Sequence, residues 1–188
     1  MSSPYGREMT TVKILKQDTE VETFIPLQRY ERMVGIRNCK RVISYRPVVR
    51  NLLFIKATRS KMRVLKQENN TLLQFKVHPE EGHYKPIVVP DKQMEDFMKL
   101  YENVADEELE FFMPGEIEFR PDARVVIEDG PFTGLEGYYQ RVRGRRAKRF
   151  IVRIEGFLSC AAFLADCRFL SLPRSNRRGR GHQGKDNP

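Results

Sequence analysis

The run Asp122–Gly137 restricts this chain more than any other stretch. Arg124–Ile127 alternates like a short strand. It leads into Glu128-Asp129-Gly130-Pro131, then Phe132, Gly134, Gly137 and a second apolar stretch. Glycine serves where the backbone needs positive φ or where two chains approach closely, and Gly-Pro marks a turn. The pattern therefore predicts two antiparallel strands joined at the mouth of a small β-barrel. Asp-Gly-Pro alone is an ordinary hairpin turn, so the weight rests on the order of all these residues together.

The strands expected around it are Arg124–Ile127, Leu135–Arg143, Phe150–Ile154 and Leu158–Phe163, with a terminal piece near Arg168–Leu172. The half before it mixes helix and strand. Glu8–Gln17 suits an amphipathic helix, Val21–Leu27 a strand, and Pro47–Ala57 a buried strand. Thr58–Gln67 reads as a helix capped by Thr58 or Ser60. Leu72–His78 and Tyr84–Val89 read as strands split by the turn Pro79–Gly82. Asp91 opens a helix with Met94, Phe97, Met98 and Tyr101 at i, i+3, i+4 and i+7, a core stripe. From Asn103 to Phe112 the apolar period breaks and acid accumulates, and Met113-Pro114-Gly115 punctuates the end. The expected organisation is a first domain over 1–103, an acidic linker over 104–114, a barrel over 115–172 and a disordered basic tail over 173–188.

Net charge is +9 and unevenly placed, which favours a polyanionic partner. Arg29–Arg50 holds seven basic residues and one acid, Arg141–Arg149 six basic and none, and Asp91–Glu118 ten acids and two bases. Arg37, Lys40 and Arg41 are candidates for phosphate contacts, and Tyr45 for stacking on an unpaired base. Arg141, Arg143, Arg145, Arg146 and Arg149 form a second patch for RNA, an acidic protein or the chain's own acidic linker. A solvated Arg-rich hairpin is the plain alternative for the first group.

Catalytic chemistry has little support. Cys39, Cys160 and Cys167 form no CxxC pair, which argues against a disulfide framework and a zinc ribbon. His78 and His83 flank a turn without a nearby cysteine, a poor metal site. There is no P-loop, no G-x-G-x-x-G after a strand and no G-x-S-x-G elbow. Glu80-Glu81 and Glu107-Glu108 lack the apolar setting that raises a carboxyl pKa. The expectation is a non-enzyme with no cofactor and no metal. No apolar run approaches the roughly 18–20 residues needed to span a bilayer, and Met1–Glu8 lacks a signal-peptide core, so a cytoplasmic protein is expected.

The run Asp129, Gly130, Pro131, Phe132, Gly134 and Gly137 resembles a KOW motif, over about Gly115–Leu172. In the first half, Tyr5-Gly6-Arg7-Glu8 is similar to the start of the first helix of a NusG N-terminal (NGN) domain. Phe24-Ile25-Pro26 is similar to its following strand, and Val48–Ile55 to its central strand. Arg50-Asn51 in place of the usual Pro-Gly, and the IEGFLSCAAF segment, look like the UpxY-type paralogues of Bacteroides polysaccharide operons. The resemblance implies an α+β chain: a ferredoxin-like NGN-type domain followed by an SH3-like KOW barrel. The family's first strand precedes Tyr-Gly-Arg-Glu, and only Met1–Pro4 stand there, so that strand is expected to be lacking. It further implies a monomeric antitermination factor that docks on the clamp helices of RNA polymerase, with Tyr5, Arg7 and Phe54 as candidate docking residues. Nucleic acid in the elongation complex would be a second partner, and a ribosomal protein or Rho a third through the barrel. Core burial is the alternative for Phe54. The second reading is a ribosome- or RNA-binding KOW protein without a polymerase role.

Overall fold

The computed structural model describes residues 1, 6–35, 40–69, 73–80, 83–165 and 167–172. The described chain is mixed α and β. Its first half contains α1 (Glu8–Leu15), β1 (Glu22–Phe24), β2 (Leu27–Val34), β3 (Lys40–Pro47), β4 (Phe54–Lys56), α2 (Arg59–Glu68), β5 (Val77–Glu80), β6 (His83–Pro86) and α3 (Asp91–Asn103). The second half contains β7 (Glu110–Phe112), a 3-10 turn at Pro121–Ala123, β8 (Arg124–Ile127), β9 (Glu136–Arg141), β10 (Lys148–Ile154), β11 (Leu158–Ala162) and β12 (Phe169–Ser171). β1 pairs with β4, β2 with β3 and β5 with β6, each as an antiparallel ribbon, and the other six strands form one antiparallel sheet in the order β12-β8-β9-β10-β11-β7.

The near-continuous apolar run Leu52–Ile55 follows from burial on both sides, as in strands covered on two faces. Leu53 and Ile55 join a small core with Leu15 of α1, Leu65 of α2, Val21 and Leu73. Leu52 and Phe54 point the other way, into the main core. α2 starts where the sequence placed it: the Thr58 hydroxyl accepts from Lys61 N at 3.3 Å, satisfying one free helix amide. Met1 lies beside Leu53. Its amine donates to Leu53 O at 2.6 Å, and Leu53 N donates to Met1 O at 3.0 Å. Burial and the nearby Lys76 hold that amine down at about 6.

The main core runs from Leu52 and Phe54 through Phe97 and Leu100 of α3 to Val125, Ile127, Phe150, Val152, Ile154, Leu158, Cys160 and Ala162 of the six-stranded sheet. Phe24 supports it with edge-on contacts to Phe97 and Tyr101. The opposite face of the sheet is covered by a smaller cluster of Val142, Ile151 and Ala161 with Phe112, Ile117, Phe119 and Tyr138. β11 is therefore buried at every position.

One expectation changes here. Segment 104–114, read as an acidic linker, places Leu109 in the main core and Glu110–Phe112 as the edge strand beside β11. The period-2 pattern Leu109, Glu110, Phe111 was masked by the surrounding acid, and the sheet begins before residue 115. In the basic stretch, residues 27–34 and 40–47 pair as the long ribbon β2–β3, in keeping with the hairpin reading, with Leu27 opposite Pro47 and Val34 opposite Lys40. The tail 173–188 lies outside the described residues.

Candidate functional site

The glycine run sits at the β8–β9 connection, and its glycines serve two purposes. Gly130 and Gly134 have φ of 81° and 82°, the left-handed region that L side chains avoid. Gly137 instead lies under β10, where an added Cβ would stand 2.6 Å from Ile151 O and 2.8 Å from the Phe150 ring. Phe132 is buried and anchors the loop in the main core, while Pro131 is exposed. Asp129 accepts from Arg168 N at 2.9 Å and Arg168 Nε at 2.5 Å. Those bonds hold its carboxyl below the usual range.

Helix α3 grips this loop through its polar side chains. Lys92 Nζ donates to Gly134 O at 3.0 Å and to Asp96 Oδ1 at 2.6 Å, and Lys99 Nζ donates to Thr133 O at 2.9 Å. Asp96 Oδ2 accepts from Glu136 N at 3.4 Å, and Gln93 Oε1 from Glu155 N at 3.0 Å. Asp96 is buried, which pushes its carboxyl up against the opposing pull of Lys92. None of these four α3 residues stood out in the sequence, because pairings some 40 residues apart leave no local signal.

The β2–β3 ribbon is rooted on the same region. Tyr101 Oη accepts from Leu27 N at 3.0 Å and donates to Leu27 O at 3.1 Å. Arg29 pairs with Glu107, and the Tyr45 hydroxyl bonds Asp106, which raises its pKa. Tyr45 is thus an exposed side chain tied to the acidic segment at the ribbon's root. Arg46 lies 5.3 Å over the Tyr30 ring. Lys40 and Arg41 are exposed near the far end, where Arg41 is 3.5 Å from Glu31. Arg37 lies outside the described residues.

The second basic patch is divided. Arg145 Nε and Arg149 Nε hold the two oxygens of Glu110 at 2.8 and 3.2 Å, and Arg149 also covers the Phe163 ring. Arg141, Arg143 and Arg146 are exposed and make no ion pair among the described residues. The acid of segment 104–114 therefore neutralises part of both basic regions: Glu107 at the ribbon and Glu110 at the β9–β10 turn.

Of the candidate docking residues, Tyr5 lies outside the described residues and Arg7 is exposed at the start of α1. Phe54 is in the core, 9 % exposed and packed against the rings of Phe24 and Phe157. It presents no docking surface. Glu8 ties the start of α1 to the segment before β4. This buried carboxylate accepts from Asn51 N at 2.9 Å, and Asn51 takes a left-handed φ of 61°. Asn tolerates that conformation better than other non-glycine residues, so Arg50-Asn51 keeps a turn that Pro-Gly would also make.

Among the described residues, no group of three or more His, Cys, Asp or Glu is placed to hold a metal ion. No helix among them is long and apolar enough to cross a membrane. Comparison with protein-family models finds no matching family, and comparison with curated proteins finds no match.

Proposed function

We propose that this chain is a NusG-like transcription antitermination factor of the UpxY type, cytoplasmic and without catalytic activity. Its first half docks as an NGN-type domain on the clamp helices of RNA polymerase, and its second half is a KOW barrel. The factor works by binding productive elongation states more tightly than paused ones. The observation that carries the reading is the Glu8–Asn51 contact. Two segments that separately resemble the NGN first helix and central strand meet across 43 residues through one half-buried hydrogen bond. The glycine run joining β8 to β9, in KOW order, supports the second half of the reading.

Arg7 is the docking residue this reading keeps among the described ones, with Tyr5 beside it in sequence; Phe54 is left to the core. An arginine anchor at a protein interface contributes about 1–2 kcal/mol or more on truncation. Arg7→Ala should weaken binding to a clamp-helix fragment roughly tenfold or more with an unchanged melting curve. Full-strength docking by the folded variant would remove Arg7. No docking by the wild type would remove the reading itself. A ribosome- or RNA-binding role is the second reading, favoured by the exposed Arg141, Arg143 and Arg146. It would then stand, provided structured RNA binds the chain through those arginines.

A further inference from the structure

Leu109 and Phe111 pack into the main core, so strand alternation sends Glu110, between them, to the opposite face of the six-stranded sheet. Residues directly opposite in an antiparallel pair share a face. The pairs Glu110–Ala161 and Ala161–Ile151 therefore put Glu110 on the face of Ile151, and Arg149 stands two residues along β10 on that same face. Arg149 Nε reaches one Glu110 oxygen at 3.2 Å, and Arg145 Nε, from the β9–β10 turn, reaches the other at 2.8 Å. The two arms differ. Glu110 and Arg149 are 19 % and 18 % exposed, whereas Arg145 is 50 % exposed. Separating Glu110 from Arg149 would leave two largely buried charges without partners, which is costly. Releasing Arg145 costs little, because an exposed pair is weak and Arg149 still compensates the carboxylate. Arg141, Arg143 and Arg146 stand exposed around the same turn and make no ion pair among the described residues. Arg145 thus belongs to a basic turn while its charge is engaged inside the chain.

We propose that Glu110 regulates RNA binding at the β9–β10 turn by competing with phosphate for Arg145. This regulation rests on the RNA-binding reading through Arg141, Arg143 and Arg146, and concerns that same site. In the free chain Arg145 closes on Glu110, and the other three arginines of the turn face solvent. An arriving phosphate draws Arg145 off the carboxylate, while Arg149 keeps Glu110 in place on the sheet. The Glu110 charge also opposes the phosphate, so RNA is held more weakly than the number of arginines alone would give. Phe163 is 48 % exposed and lies beside Arg149, whose guanidinium covers its ring at 5.3 Å. An exposed ring next to phosphate-binding cations offers a platform for an unpaired base, which favours RNA over an acidic protein as the competitor.

The test is fluorescence anisotropy of the full chain with an RNA hairpin that carries a single-stranded tail, at several salt concentrations. Each phosphate contact adds about 0.7–0.9 to the slope of log K against log salt. Glu110→Gln should steepen the slope by one such contact, which is about five- to eightfold tighter binding at roughly 0.1 M salt and no gain near 1 M. Glu108 is exposed in the same segment, and Glu108→Gln, which removes an equal charge, should change the slope less than half as much. Adding Arg145→Gln to Glu110→Gln should return the slope to the wild-type value. Arg145→Gln alone leaves the sheet untouched and should flatten the slope less than half as much as Arg143→Gln. Circular dichroism checks that each variant is folded. Equal effects of Glu108→Gln and Glu110→Gln would reduce the result to net charge and overturn the competition. Equal effects of Arg145→Gln and Arg143→Gln in the wild type would overturn it too, as would displacement of the RNA by polyglutamate at equal charge concentration. Replacing Arg141, Arg143 and Arg146 together by Gln checks the binding site itself and should flatten the slope by about 2.1–2.7. If it does so and Glu110→Gln changes nothing, the RNA reading stands and its regulation falls. If neither the wild type nor Glu110→Gln binds the RNA, both fall.

Discussion

Gly134 and Gly137 are three residues apart and are required for opposite reasons, so substitutions there should rank in opposite orders. At Gly137 an added Cβ meets Ile151 O at 2.6 Å and the Phe150 ring at 2.8 Å. An ordinary carbon–oxygen contact is no shorter than about 3.3 Å, so β10 would have to move by roughly 0.7 Å. Both neighbours are fully buried and one contact is backbone, so neither side can yield by rotating a side chain. Overpacking a filled core costs about 1–3 kcal/mol; a backbone clash puts Gly137→Ala in the upper half. In a chain of this size each kcal/mol moves the melting temperature by about 2–4 °C, so a loss of roughly 4–12 °C is expected. At Gly134 nothing lies within 4 Å of an added Cβ, and only its φ of 82° opposes a side chain. Gly134→Ala should cost about 1–2 kcal/mol, and Gly134→Asn less, because Asn visits the left-handed region. At Gly137 the order reverses, with Asn worse than Ala. Thermal melts of the four variants decide it. A Gly137→Ala protein melting with the wild type, or Asn tolerated better than Ala at 137, would refute the close-approach argument.

Phe54→Ala should cost about 3–5 kcal/mol in chemical denaturation, the range for emptying a buried aromatic site; a loss below about 1 kcal/mol would return Phe54 to the surface. In a chain beginning at Met1, the lowered amine pKa means that the unfolded state binds more protons between about pH 6 and pH 8. The stability is present above pH 8 and lost as pH falls through about 6. The unfolding free energy from denaturant titrations should therefore fall as pH drops across that window, by roughly 2–3 kcal/mol at most, and amino-terminal acetylation should abolish the dependence. Burial pushes the Cys160 thiol far up, so iodoacetamide followed by mass spectrometry should label it only after unfolding; rapid labelling of the native protein would contradict its place in the core.

Much of the second half was legible because its signals are local. Arg124–Ile127 read as a strand and is β8 to the residue, with its burial alternating along it. The glycine order foretold a strand–turn–strand, although the sequence could not say which glycine answers to φ and which to packing. Thr58 announced α2 in the same way. Of the stripe on α3, Phe97 is central and Met94 and Tyr101 pack against the same core, but Met98 is only half-buried, and Leu100 and Asp96, which the stripe left out, are buried. A carboxylate on the core side looks like a surface residue until its acceptor role toward Glu136 N is known. The β2–β3 ribbon was read as an Arg-rich hairpin without strand bounds, because both faces of its outer half meet solvent, leaving no apolar alternation to read. The Glu110 pairs with Arg145 and Arg149 realise one of the partners open to that patch, the chain's own acidic segment, but residues 35 and 39 apart gave no sign of which acid and which arginines would meet. For the proposed docking site, Arg7 lies in a segment whose resemblance was visible, whereas the contact of Glu8 with Asn51 required the latter's backbone angle.

The central claim concerns polymerase, and the most direct measurement is a single-round elongation assay on a template with a strong pause, using the cognate bacterial RNA polymerase and a saturating amount of the full chain. The account predicts a shortened pause lifetime and more full-length transcript, with the effect reduced in the Arg7→Ala protein. Unchanged pausing with the wild-type chain at saturation would contradict it.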